Sequence, residues 1–241
     1  MKTVGDNIAA NNADWKFSGE MVNTFDDHVS KSVPLYNLGH DLICQLSDYF
    51  IKKDSYVYEL GCSTGTLTFE LYKKSENKSN VNFLGYDVET DMIKKANEKL
   101  TTFNHRKDSI KFIDDDVNLV DFEKSDLIVS YYTLQFIHPK FRQELVNKIY
   151  NSLNWGGAFI LFEKVRYQDA RFQDIITTLY NDFKLNQGYS HEDILNKTRS
   201  LKGILDPFSS NANVDMLKRA GFLDICTIQK YLAFEGLLAI K

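Results

Sequence analysis

Tyr56-Val57-Tyr58-Glu59-Leu60-Gly61-Cys62-Ser63-Thr64-Gly65-Thr66 is the stretch that decides the fold. A short run of apolar and strand-forming residues ends in an acid, and the chain then turns on two glycines. Residues 67–74 follow with the spacing of a helix. A strand that turns on glycine into a helix opens a βα unit. Small residues in such a turn let backbone N–H groups approach a ligand closely, and the helix N-terminus behind them favours an anion.

The same alternation extends in both directions. Before the turn, Leu38, Leu42, Ile43, Leu46, Tyr49 and Phe50 share one face of a helix over 36–51. Beyond it, 81–89 reads as a strand, and 91–103 as a helix with Met92, Ala96, Leu100 and Phe103 on one face. Strands follow at 109–116 and 125–132, then a helix over 139–153 that tolerates Pro139 at its start. The stretch Asn154-Trp155-Gly156-Gly157 is expected to stop that helix, with a strand over 157–164. Two or three helices fill 167–201. A loop containing Pro207 leads to a short helix over 214–220 ended by Gly221, and strands at 222–230 and 231–240 form a closing hairpin at the sheet edge. This predicts an α/β, Rossmann-like fold: one domain over 1–241, with a mainly parallel seven-stranded sheet and an antiparallel last strand. Helical cover is expected at 17–30 and 167–201, and a ragged start over 1–14.

Composition excludes several function classes. The 241 residues carry 29 Lys+Arg against 33 Asp+Glu, a net charge of −4, with 43% hydrophobic and 26% charged residues. That is the balance of a folded domain, without the basic footprint of a nucleic-acid binder. No apolar run is long enough to span a membrane, and the N-terminus lacks the apolar core of a secretory signal. The 3 cysteines include no closely spaced pair, which suits a reducing cytoplasm. The 5 histidines form no cluster with zinc-ligand spacing, so no metal is expected.

Ligands of open parallel sheets bind beyond the carboxyl ends of the strands. Glu59, Gly61, Cys62 and Ser63 stand at the first such end. Asp87 stands at the second, roughly 20 residues past the turn, where an acid suits a ribose diol. Asp116 and Val117 end the third strand, where a carboxylate and a backbone amide can read an adenine edge. Tyr131 and Tyr132 close the fourth. The loop is G-x-x-x-G and not G-x-G-x-x-G, so it suits a mononucleoside with an amino-acid tail, S-adenosylmethionine (SAM), better than a dinucleotide.

With these residues in place, the chain resembles the class I SAM-dependent methyltransferases, and within them the bacterial carboxy-S-adenosylmethionine synthases. The likeness rests on Trp15-Lys16-Phe17, Lys31-Ser32-Val33-Pro34 with Tyr36, the Gly61-Cys62-Ser63 turn, Thr133-Leu134-Gln135-Phe136, Glu163-Lys164, and Asp182-Phe183-Lys184 with Gly188-Tyr189-Ser190. The resemblance implies SAM or carboxy-SAM contacts at Tyr36, Gly61, Cys62, Ser63, Asp87, Val88, Asp116 and Val117. It further implies a homodimer whose helical arm reaches the neighbouring site. It also implies carboxyl transfer from prephenate to SAM, for modification of a tRNA wobble uridine by a second enzyme.

The chain departs from that family at two site positions. Tyr131 stands where the family has an asparagine, and the family's carboxylate-binding arginine falls on Thr198, with Arg199 next to it. A shift of one residue on a helix swings a side chain by about 100°. Leu35, where the family has glycine, is expected to crowd the same entrance. Tyr131 reads either as a catalytic residue or as a wall residue, and Arg199 either as the carboxylate clamp or as a solvated helix residue. His138 is a helix-start residue or a base. Glu163 holds a substrate proton or pairs with Lys164, and Cys62 packs beneath the ligand. Tyr131, Tyr132, Tyr189 and Arg199 suggest a pocket for a flat, anionic small molecule. The favoured function is SAM-dependent methylation of a small molecule. The alternatives are a carboxy-SAM synthase using prephenate and a SAM-binding module without catalysis. No N-P-P-Y type motif follows the fourth strand, which disfavours amino-group methylation of adenine or glutamine.

Overall fold

The computed structural model describes Ala13, Phe17, Gly19, residues 21–103 and residues 107–241. Trp15, Lys16, His105 and nearly all of the ragged start expected over 1–14 lie outside the described residues. The helices are α1 (Met21–Ser32), α2 (Tyr36–Phe50), α3 (Thr66–Lys74), α4 (Thr90–Thr102), α5 (Pro139–Ser152), α6 (Ala170–Asn186), α7 (His191–Ser200) and α8 (Ser210–Ala220). The strands are β1 (Tyr56–Leu60), β2 (Asn82–Asp87), β3 (Ile110–Asp114), β4 (Ser125–Tyr131), β5 (Leu153–Lys164), β6 (Asp224–Tyr231) and β7 (Phe234–Ile240).

These strands form a 7-stranded sheet in the order β3-β2-β1-β4-β5-β7-β6. Neighbours from β3 to β5 run parallel, while β7 lies antiparallel between β5 and β6. The strand order reverses between β1 and β4, and a crevice opens there at the carboxyl ends.

Successive residues of a strand face opposite sides, so each central strand supplies two cores. Leu127, Val129 and Tyr131 of β4 join Ile160 and Phe162 of β5 on the side of α2 and α3. Ile128, Phe159 and Leu161 face the other way, into the core under α5 and α8. Burial on both faces is why these strands read as nearly continuous apolar runs.

Two sequence expectations change. Asn154-Trp155-Gly156-Gly157 does not separate helix from strand but lies inside β5, where pairing steps from Ser125↔Leu153 to Leu127↔Ala158. The glycines form an irregularity within a longer strand, with Gly156 at φ +76°. Helix α8 begins at Ser210 rather than 214, because the Ser209 hydroxyl accepts the Ala212 N–H at 3.2 Å and caps the helix.

Candidate active site

A cavity of about 410 Å³ opens at the carboxyl ends of β1 to β4, beneath α1 and the segment that follows α7. Its floor is the turn between β1 and α3. Gly61, Ser63 and Gly65 take φ values of +74°, +48° and +75°, a left-handed series that favours glycine. A Cβ on Gly61 would stand 2.2 Å from Thr133 Oγ1, and one on Gly65 would stand 2.5 Å from the Phe112 ring. The turn is tied to β2, since Gly61 N–H and Cys62 N–H both donate to Tyr86 O, at 2.7 and 2.9 Å.

Asp87 ends β2 with one carboxylate oxygen accepting Ser63 N–H at 2.8 Å and the other accepting Glu89 N–H at 3.0 Å. Burial pushes its pKa up, while these N–H groups oppose the shift. The carboxylate is thus fixed at the cavity wall with lone pairs left for hydroxyl donors. Asp116 is oriented by Asn118, whose backbone N–H and side-chain amide donate to it at 2.9 and 2.7 Å. Cys62 is buried against Gly85, and burial holds its thiol well above the ordinary range, so it is packing and not a nucleophile.

Glu59 is buried, accepts a hydrogen bond from the Thr68 hydroxyl and lines the cavity. Among the described residues it has no ion pair, and burial pushes its pKa up to about 8. A desolvated carboxyl beside the turn suits a ligand that brings its own cation. SAM, with an ammonium and a sulfonium, is such a ligand, and the residues present fit it.

On the opposite wall, Tyr131 is buried and its hydroxyl donates to Tyr36 O at 2.6 Å. Its ring also meets those of Tyr36, His40 and Tyr132. Tyr132 follows at φ +60°, a conformation that costs a bulky residue energy, with its N–H donating to Phe162 O at 2.8 Å. Among the described residues its buried hydroxyl has no hydrogen-bond partner.

Helix α1 closes the cavity through Asp26. That carboxylate accepts from Thr64 and Thr66 hydroxyls at 2.7 and 3.0 Å and from Lys99 Nζ at 2.8 Å. Lys99 Nζ in turn donates to both threonine hydroxyls. Deeper in, Lys197 of α7 donates to Ser32 Oγ at 2.9 Å and bonds the ring of His28.

Tyr36, Glu59, Gly61, Cys62, Ser63, Asp87, Val88, Asp116, Val117 and Tyr131 all line this one cavity. Arg199 does not: its side chain is exposed on α7, and the cation that this helix turns inward is Lys197. Leu35 is a second correction, since it does not line the cavity and is 40% exposed at φ +58°. Glu163 is a third. It does not line the cavity, and the charge that acts on its buried carboxyl is Arg142, not Lys164. His138 caps α5, its Nδ1 accepting Lys140 N–H at 3.3 Å. Tyr189 stands behind the lining, bonded to Ser32 and His28. Sequence reasoning missed Asp26, Lys164, Tyr180 and Lys197 as lining residues. Only Lys164 carried a signal, as the last residue of a strand whose carboxyl end faces the crevice.

Residues 57–157 match the Methyltransferase domain family. Among curated proteins, the carboxy-S-adenosyl-L-methionine synthase of Campylobacter lari is 36% identical over 94% of this chain and 94% of its own length. That of Staphylococcus epidermidis is 36% identical over 94% of this chain and 97% of its own. The chain belongs to the carboxy-S-adenosyl-L-methionine synthase family. It is therefore a SAM-dependent transferase. Solved structures agree on the fold. Human N-acetylserotonin methyltransferase, solved with SAM, superposes with a TM-score of 0.59 at 17% identity, covering 91% of this chain and 55% of that one. An O-methyltransferase family protein of Burkholderia thailandensis gives 0.59 at 13% identity, covering 91% and 59%. This chain spans little more than half the length of either, and shares with them the Rossmann-like sheet of class I methyltransferases. Among the described residues no helix is long and apolar enough to cross a membrane, and no cluster of three side chains could hold a metal.

Proposed function

We propose that the protein transfers the methyl group of SAM to a small carboxylated acceptor, using the scaffold of the carboxy-SAM synthase family for ordinary methylation. The observation that carries this reading is the position of Arg199, exposed and outside the cavity. Tyr131 supports it, as a phenol committed to Tyr36 O where the family resemblance calls for a small amide. In this reading Asp87 accepts the ribose hydroxyls, Asp116 and Val117 meet the adenine edge, Glu59 faces the ammonium, and Tyr36 covers the sulfonium. The acceptor nucleophile bonds to the methyl carbon as the carbon–sulfur bond breaks and its electron pair returns to sulfur, giving S-adenosylhomocysteine. Because the sulfonium already activates that carbon, the protein's contribution is alignment, which can lower a barrier by about 7–11 kcal/mol. Two further expectations belong here. The protein works in the cytoplasm, in keeping with its free cysteines. It forms a homodimer through α6, whose Phe172, Ile175 and Leu179 are exposed on one face.

Synthesis of carboxy-SAM from SAM and prephenate is the second reading, favoured by the near-complete overlap with carboxy-SAM synthases. Mass spectrometry of the ligand retained by the purified protein, before and after prephenate is added, separates the two. Methyl transfer expects SAM or S-adenosylhomocysteine, with SAM left unconverted by prephenate. A retained species heavier than SAM by one CO2 unit would overturn methyl transfer and establish the second reading.

A further inference from the structure

We infer that Lys164 and Lys197 form the anion-binding end of the cavity and hold a carboxylate of the acceptor, the task that the family resemblance gives to an arginine at 198–199. The inference rests on the methyl-transfer reading for the identity of the bound molecule as an acceptor, but the site itself is argued from the chain's own geometry.

Both lysines line the cavity. Lys164 ends β5, with Nζ 4.6 Å from the Tyr180 ring centroid and 5.9 Å from that of Phe234. Among the described residues no carboxylate lies within ion-pair distance of Lys164, and the charge acting on its neighbour Glu163 is Arg142. Tyr180 and Ser32 link the two lysines. Tyr180, whose ring carries Lys164, donates its hydroxyl to Ser32 O at 2.8 Å, and Lys197 Nζ donates to Ser32 Oγ at 2.9 Å. Lys184 stacks on the same Tyr180 ring, with Nζ 4.4 Å from its centroid, and adds positive field from outside the cavity. Next to this cluster sits Tyr132, its buried hydroxyl without a hydrogen-bond partner among the described residues. Burial holds Lys164 down to about 8, the mark of an ammonium that lacks a counter-charge.

Charge is thereby sorted along the cavity. Carboxylates of Glu59, Asp87 and Asp116 stand at the nucleoside end, and lysines at the other. A cationic sulfonium and an anionic acceptor would enter such a field in only one relative orientation. Tyr132, Tyr180 and Phe234 beside the lysines give flat apolar surface, so the fitting ligand is a carboxylate carried on an unsaturated ring. Lysine here acts as a point charge, without the bidentate geometry of arginine.

The test is calorimetry on the full chain saturated with S-adenosylhomocysteine, titrated separately with prephenate, phenylpyruvate and benzoate. At least one should bind the wild type and lose about tenfold or more in affinity in Lys164→Met and in Lys197→Met. Lys164→Arg, which keeps the charge, should restore most of that loss, and Arg199→Ala should leave binding unchanged. Affinity for S-adenosylhomocysteine should stay within about twofold throughout, which a merely structural role for the lysines would not allow. The inference is overturned if none of the three carboxylates binds, if Lys164→Met binds them as the wild type does, or if both lysine variants lose S-adenosylhomocysteine equally. Methyl transfer fails separately, in the mass of the product.

Discussion

His28 shows how far a single side chain is governed by its surroundings. It is buried, and burial together with the Lys197 ammonium pushes its pKa down to about 3. An unfolded chain takes up that proton near pH 6.5, so between these values the unfolded state binds more protons and stability falls as the pH drops. Whatever stability the wild type holds over His28→Gln at pH 7 should therefore shrink by about 1–2 kcal/mol at pH 5, measured by urea unfolding at the two pH values. A constant difference would show that His28 takes up its proton in the folded protein at the same pH as in the unfolded chain. The cavity-lining residues of the first three strand ends were legible because they sit in one βα turn and at strand ends, positions that sequence spacing reports directly. Lys197 was not legible: whether α7 turns residue 197 or 199 inward depends on how the helix packs against α1, and no local pattern carries that.

At the scale of elements, the contact between β4 and α2 is the unusual one. Tyr131 reaches across to the first turn of α2, and it fits because position 39 has no side chain. A Cβ on Gly39 would stand 2.2 Å from the Tyr131 hydroxyl oxygen. Gly39→Ala should cost about 1–3 kcal/mol by overpacking, and less in a Tyr131→Phe background where that oxygen is gone. Equal costs in the two backgrounds, by thermal or denaturant unfolding, would remove the steric coupling. Most elements were readable from periodicity, since strands buried on both faces and one-sided helices leave strong patterns. The two misreadings share one cause, because glycine, serine and asparagine mark local backbone chemistry rather than the end of an element. Gly156 and Gly157 absorb an irregularity inside β5, and Ser209 starts a helix where a loop was expected.

At the scale of the whole molecule, α6 leaves an apolar face uncovered among the described residues. Phe172, Ile175 and Leu179 of α6 are 58%, 56% and 46% exposed, and Leu195 of α7 is 49% exposed. If this face is where two copies meet, the double variant Ile175→Glu/Leu179→Glu should sediment as a monomer while the wild type sediments as a dimer; a wild-type monomer at micromolar concentration would end the idea. The mainly parallel sheet, its antiparallel last strand and helical cover near 17–30 and 167–201 followed from the sequence, while the side chains that the cover turns inward did not, because α1 and α7 act on residues far away in the chain. Asp26 is the sharpest instance. It fastens the covering helix to the two threonines that border the glycine turn, with Lys99 locked into the same knot. If that knot must be untied before spent nucleoside can leave, added salt, by loosening its ionic strand, should quicken release of S-adenosylhomocysteine in a stopped-flow measurement.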